Sequence, residues 1–388
     1  LKITSTTHRY NSLDVFMTVV VIYFLMALNG CFRNPSLDTN QIASPTNNLI
    51  VTPVTSKPTE KATPQITLPP SGQVTLMAVG DVMLSRSIGE LILKKDPSAP
   101  FSQVDDLFQT ADWVVANLEC AITDSTQPEK KRYTFNAPLE SAAGLAAAGI
   151  NVVNLSNNHI LDFGQAGLVD TLNALQLHSI KSFGLGSDAQ TAHAPLILEK
   201  NGLSIALLAY TDVPIESSSY FDTRDWIADN SHAGLAWANL PDILMDVARA
   251  REQADLVIVY FHFGVENLDH ASQTQHLLAT GAIDAGAVLV LGSHTHRLQE
   301  IQHYKDGLIL YGLGNFIFDG FDEASNLTAV LSVRLAKSGI VSQTWHPMVI
   351  EDGIPQPASP ENSKVILSLV NREYKVFQPG IEGEDINE

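Results

Sequence analysis

From Val74 onward the chain alternates short, strongly apolar runs with stretches of helical periodicity, and several apolar runs end abruptly in a polar cluster. Runs rich in Val, Ile and Leu read as buried strands, which predicts strands over 74–79, 113–116, 152–155, 256–261 and 288–291. Helices are predicted over 85–93, 139–148, 167–175, 240–253 and 273–285. Gly149 stops the second of these, and Pro241 suits the first turn of the fourth. Asn201-Gly202 between 195–198 and 204–210 is a hairpin signal, as is Asp306-Gly307 between 300–304 and 308–311. A further strand is expected over 328–333. Strand–helix units followed by antiparallel strands predict a layered α/β domain with a mixed sheet system.

The polar clusters are Gly80-Asp81, Asn117-Leu118-Glu119, Asn157-Asn158-His159, His262, and Gly292-Ser293-His294-Thr295-His296. Each sits at the carboxyl end of a predicted strand, the edge of an α/β sheet where ligands bind. Taken singly they are ambiguous. Asp81 could cap the next helix, Glu119 could belong to a surface turn, the Asn pair could build a turn, and His262 could be a satisfied core histidine. Taken together, two carboxylates, an amide and three imidazoles form a coordination sphere for one or two divalent ions, with Mn, Fe or Zn compatible with such mixed N/O ligands. Two nearby cations suit phosphoryl chemistry, with His159 as general acid. Asp162, three residues on, is placed to accept the other ring N–H of His159. The remaining histidines have no comparable setting.

The segment before residue 74 reads as an address. Lys2 and Arg9 precede an apolar stretch over 15–28, short for a membrane span and of signal-peptide length. It ends in Leu28-Asn29-Gly30-Cys31, which resembles a bacterial lipoprotein cleavage box and implies a lipid on Cys31. The alternative is an uncleaved N-terminal membrane anchor. Both place the protein outside the cytoplasm, tied to the bacterial cell membrane. Residues 32–72, crowded with Pro, Thr and Ser, have no apolar periodicity and read as a tether. The expected organisation is therefore a leader over 1–31, a linker over 32–72, a folded domain over 73–352, and a C-terminal extension with an acidic tail over 353–388. A net charge of −19 argues against nucleic acid as a partner. The two cysteines, Cys31 and Cys120, are too few for a disulfide framework.

The motifs also occur in a recognisable order. Val79-Gly80-Asp81-Val82-Met83-Leu84, Asn117-Leu118-Glu119, Ser156-Asn157-Asn158-His159 with Asp162-Phe163-Gly164, His262-Phe263-Gly264-Val265-Glu266, Gly292–His296 and Tyr311-Gly312-Leu313-Gly314-Asn315-Phe316 resemble the CapA-type poly-γ-glutamate capsule biosynthesis proteins, over roughly 74–350. The resemblance implies a metallophosphoesterase-like, four-layer α/β/β/α sandwich. It implies Asp81, Glu119, Asn158, His262, His294 and His296 as metal ligands, Glu119 standing where phosphoesterases of this fold keep a bridging Asp. It implies His159 as proton donor, with Asp162 and Glu266 supporting it and Asn315 on the site floor. Phosphoesterases of the superfamily carry a His two residues after the first Asp, where this chain has Met83, a poor ligand for such ions. One of two ion positions is therefore expected to be weak. Ser293 and Thr295 replace residues that are often His and Pro in the family's last motif. The implied function is synthesis or export of an anionic capsule polymer, with other capsule-synthesis membrane proteins as partners. A general extracytoplasmic metallophosphoesterase and a non-catalytic polymer-binding scaffold stand as alternatives.

Overall fold

Residues along the central strands divide by period two between two different cores. In a computed structural model, which describes residues 72–216 and 221–375, the strands are β1 (Gln73–Val82), β2 (Trp113–Leu118), β3 (Val152–Asn154), β4 (Lys181–Phe183), β5 (Leu196–Lys200), β6 (Leu203–Asp212), β7 (Leu256–Phe263), β8 (Leu289–Ser293), β9 (Ile301–Tyr304), β10 (Gly307–Leu310), β11 (Asn315–Ile317), β12 (Leu327–Ala336), β13 (Gly339–Glu351) and β14 (Ile354–Pro357), apart from two-residue pairings. The longer helices are α1 (Arg86–Lys94), α2 (Ser141–Ala148), α3 (Gly164–Leu177), α4 (Leu240–Arg251), α5 (Gln273–Asp284) and α6 (Pro360–Val370). The expected leader, nearly all of the expected tether and residues 376–388 lie outside the described residues. Among the described residues no helix is long and apolar enough to cross a membrane.

One sheet runs β14-β13-β12-β1-β2-β3-β4, and the other β9-β10-β8-β7-β6-β5. On the first, Leu76, Ala78, Val115 and Val152 face the second sheet. Their neighbours Met77, Val79, Val114 and Val153 face α1, α2 and α3. On the second, Ile205, Leu207, Ile258, Tyr260 and Leu291 point back at the first sheet, while Ala206, Leu208, Val259 and Phe261 meet α4 and α5. Strict alternation with both faces apolar means that both faces of each sheet are covered. The result is the four-layer α/β/β/α sandwich. Burial at roughly 25 cal/mol per Å² of apolar surface favours this stack over an open sheet.

Two features differ from the sequence pattern. The second hairpin turns at Lys305-Asp306, one residue earlier than the Asp-Gly signal, because Gly307 already pairs with Tyr304. Lys305 takes the left-handed conformation (φ +51°). A Cβ at Gly307 would lie 2.6 Å from Ile283 Cδ1, so this glycine serves the contact with α5 rather than the turn. The expected break at 352 falls in the turn between β13 and β14, which pair from Met348↔Pro357 to Glu351↔Ile354. Ile366 and Val370 of α6 are buried against Leu298 and Ala329. Residues 353–375 therefore pack with the domain rather than extending from it.

Candidate metal centre

The carboxyl ends of β1, β2 and β3 of the first sheet meet those of β7 and β8 of the second at one place. Register sets Asp81 opposite Asn117, Asn117 opposite Asn154, Asp81 opposite Asn315, and His262 opposite Ser293. A bulge in β1 aims Asp81. Pairing with β2 runs through Ala78↔Val115 and resumes at Asp81↔Asn117, with one extra residue on β1. Bulges of this kind re-aim side chains beside active sites. Gly80 permits it, since a Cβ there would sit 1.9 Å from Gly314 O.

Asp81, Glu119, Asn158, His262, His294 and His296 are all buried. Ligand atoms of Glu119, His262 and His294 lie within 4.8 Å of one another, and so do those of Asp81, Glu119 and His296. Glu119 belongs to both groups. Asn158 Oδ1 joins the first, 2.7 Å from His262 Nε2. Asn117 is the hub beneath them. Its amide nitrogen donates to Asp81 Oδ1 at 2.8 Å and Glu119 Oε2 at 3.2 Å, and its Oδ1 accepts from Asn154 and Asn157. Ser293 Oγ lies 2.9 Å from His262 Nδ1, and Asn315 Oδ1 lies 2.8 Å from His296 Nδ1. These contacts fix the planes of two imidazoles, the role that oxygen partners play behind metal-bound histidines.

The donor set fits divalent cations. Burial, with Asp81 alongside, pushes the Glu119 carboxyl well above its usual range, and the neighbouring charges that act on it are those of Asp81, Glu266 and Asp162. Two buried carboxylates this close hold a proton until a cation replaces it. Burial, reinforced by neighbouring imidazoles, drives His262 far down, and His294 down to about 3. Both rings therefore stay neutral, the form that binds metal. His294 Nδ1 is buried with no hydrogen-bond partner among the described residues. His294 and His296 also hold left-handed backbone, φ +89° and +56°, which costs on the order of 1–3 kcal/mol each and clusters at functional sites.

His159 sits beside this centre. Its Nδ1 is 2.8 Å from Asp162 Oδ2, and its ring stacks on Phe135 with centroids 4.1 Å apart. Asp162 also accepts from Phe135 N at 2.7 Å and from Lys131 Nζ at 2.5 Å, in an ion pair whose side chains are both fully buried. A cavity of about 240 Å³ opens here, lined by His159, His296, Glu266, Arg86 and an aromatic wall that includes Phe135. Glu266 is on its exposed rim.

A family model described as "Bacterial capsule synthesis protein PGA_cap" matches residues 75–320. The chain belongs to this family. Among curated relatives, the capsule biosynthesis protein CapA of Bacillus anthracis is 29% identical over 74% of this chain and 70% of its own length. The PGA biosynthesis protein CapA of Bacillus subtilis is 28% identical over 74% of each chain. Among solved structures, a hypothetical protein from Thermus thermophilus is similar at a TM-score of 0.45 and 17% identity, covering 71% of this chain and 100% of that one.

The structure thus brings every expected ligand to one place and puts Asp162 against His159. Met83 is elsewhere. It is buried in the core beneath α1 and α2, with its sulfur accepting from Ser85 N at 3.1 Å, so the Asp81 group holds one donor fewer than the His262 group. Lys131 had no signal in the sequence. It is one of three consecutive basic residues, 130–132, and nothing in that run marks which is buried. Cys120, buried, has its thiol pushed up to about 12 by desolvation and takes no part.

Proposed function

We propose that this protein acts at the cell envelope in the synthesis or export of an anionic capsule polymer of the poly-γ-glutamate type, through a metal-dependent hydrolase or transferase site. Family membership supports the capsule role. One observation carries the chemistry. Glu119 belongs to two ligand groups at once, as a carboxylate bridging two cations must, and His296 of one group lines a cavity with His159 on its wall. Asp81, Glu119 and His296 would hold one ion, and Glu119, Asn158, His262 and His294 the other, with Mn, Fe or Zn all acceptable to such donors. Bound there, the ions supply positive charge for an oxyanion developing at a phosphoryl or acyl centre and lower the pKa of water.

The chain's own residues do the rest. Asp162 holds His159 Nδ1, so proton transfer to a leaving oxygen runs through Nε2. Lys131 pairs with Asp162 and holds it in place for that task. The leader and tether would carry the domain at the outer face of the membrane, beside other capsule-synthesis membrane proteins. A polymer-binding scaffold is the second reading, favoured by Met83, which leaves the Asp81 group with three donors.

Metal content of the purified chain, measured by elemental analysis after loading with Mn, Fe or Zn, tests this. Asp81→Asn should lower the stoichiometry from two ions towards one, and Glu119→Gln should abolish both. A wild type that takes up none of these ions sinks the reading. Loaded protein inert towards polymer and simple phosphate esters alike would leave the scaffold.

A further inference from the structure

Arg86 breaks two local rules at once. It is the first residue of α1, where a cation opposes the helix dipole and acidic residues are favoured. It also holds φ +54°, a left-handed conformation that L-residues avoid. A sequence that keeps arginine at such a position keeps it for its side chain. The guanidinium lies over the Phe135 ring at 4.5 Å, the same ring that stacks on His159, and it lines the cavity with His159 and His296. It reaches Asp319 through one nitrogen at 3.3 Å, and Asp319 also accepts from Ser87 N and Oγ. The side chain remains 38% exposed. The cavity lining holds one carboxylate, the exposed Glu266, and Arg132 lies close by, over the ring of Tyr133 on the cavity wall.

We propose that Arg86 is a specificity-determining residue that engages an oxyanion of the substrate next to the reacting centre, a carboxylate of the polymer or a phosphate oxygen. This rests on the anionic substrate proposed above. The planar fork matches either group bidentately. Phe135 spaces Arg86 from His159, so the anion held by one lies on the same cavity wall as the bond served by the other. Phe318 and Phe321 give the methylene stretches between charges an apolar surface.

The test is binding to the full, metal-loaded chain by calorimetry. The probes are a γ-linked glutamate pentamer, an uncharged analogue with every carboxylate amidated and the amino terminus acetylated, and inorganic phosphate. Arg86→Ala and Arg86→Gly should weaken the pentamer, phosphate or both by about tenfold to a hundredfold, the range for a charge-assisted hydrogen bond. They should leave the uncharged analogue unmoved. Loss confined to the pentamer identifies a carboxylate, and loss confined to phosphate identifies a phosphoryl oxygen. Arg86→Gly relieves the backbone strain, so its Tm should not fall while its affinity does, a pattern no purely structural role produces. Unchanged affinity for both anions in the variants overturns the proposal, as does a wild type that binds neither. Metal content read on the same samples separates the two readings, since a chain that binds anions through Arg86 but holds no metal refutes the metal centre alone.

Discussion

At the scale of single residues, the candidate ligands stood out because each is a polar side chain ending an apolar run, and the structure buries them together. Their partners were not. Asn117 stood in a recognised motif, yet its four-way role depends on Asp81, Glu119, Asn154 and Asn157 meeting at the ends of three neighbouring strands. Lys131 is the sharper case. Replacing it with Met should strand Asp162 as an uncompensated buried charge and cost about 3–5 kcal/mol. The double variant Lys131→Met with Asp162→Asn should recover most of that loss, as read by urea unfolding. Equal stability of Lys131→Met and wild type would mean that the ion pair is not the anchor of His159.

His294 gives a pH dependence of definite sign. Burial holds its folded pKa down at about 3, below the ordinary 6.5. In metal-free protein, acid protonates the unfolded chain first. Stability from this residue is therefore complete above about pH 6.5 and is lost as pH falls towards 3. Between pH 6.5 and 5 the loss is about 2 kcal/mol. Glu119, whose folded pKa is raised, works in the opposite direction above its ordinary 4.5. The measurement is thus a difference, in which wild type should lose about that much more than His294→Asn on acidification. Parallel curves for the two proteins would show that His294 is not held neutral by burial.

At the scale of elements, continuous apolar runs and strand-end polarity carried most of the architecture, because both faces of each sheet are buried. What escaped were features set by contact between elements. Gly307 looked like a turn residue and proves to be a packing residue on α5. The bulge in β1 is invisible until β2 and β11 flank it. Gly80 is where this matters for function. Its missing Cβ lets the chain pass Gly314 O, a backbone atom that cannot rotate away. Gly80→Ala should cost about 1–3 kcal/mol or more. By displacing Asp81, it should also weaken ion binding in the Asp81–His296 group more than in the group built on His262. Calorimetric titration with Mn²⁺ resolves the two steps. Retention of both at wild-type affinity would show that the bulge does not set the geometry of Asp81.

At the scale of the whole molecule, the centre is a seam. The first sheet supplies Asp81, Glu119 and Asn158, and the second supplies His262, His294 and His296, so cations bound there would tie the two sheets together where their strand ends meet. Below the seam the sheets already touch through apolar side chains and through Tyr260, whose hydroxyl donates to Val79 O at 3.1 Å. Ions held only by the folded arrangement stabilise it by mass action, about 2.7 kcal/mol at a hundred times the dissociation constant. For a domain of this size that is a rise in Tm on the order of 5 °C or more. Chelation should reverse the rise. Glu119→Gln should be insensitive to both ion and chelator, with a metal-free Tm no lower than wild type, because a neutral amide needs no proton to sit beside Asp81. A scanning-calorimetry series across ion concentration decides it. A Tm independent of Mn²⁺, Fe²⁺ and Zn²⁺ in the wild type would mean that the six converging side chains hold the seam by hydrogen bonds alone. The carboxylate shared by both groups would then be a buried acid keeping its proton.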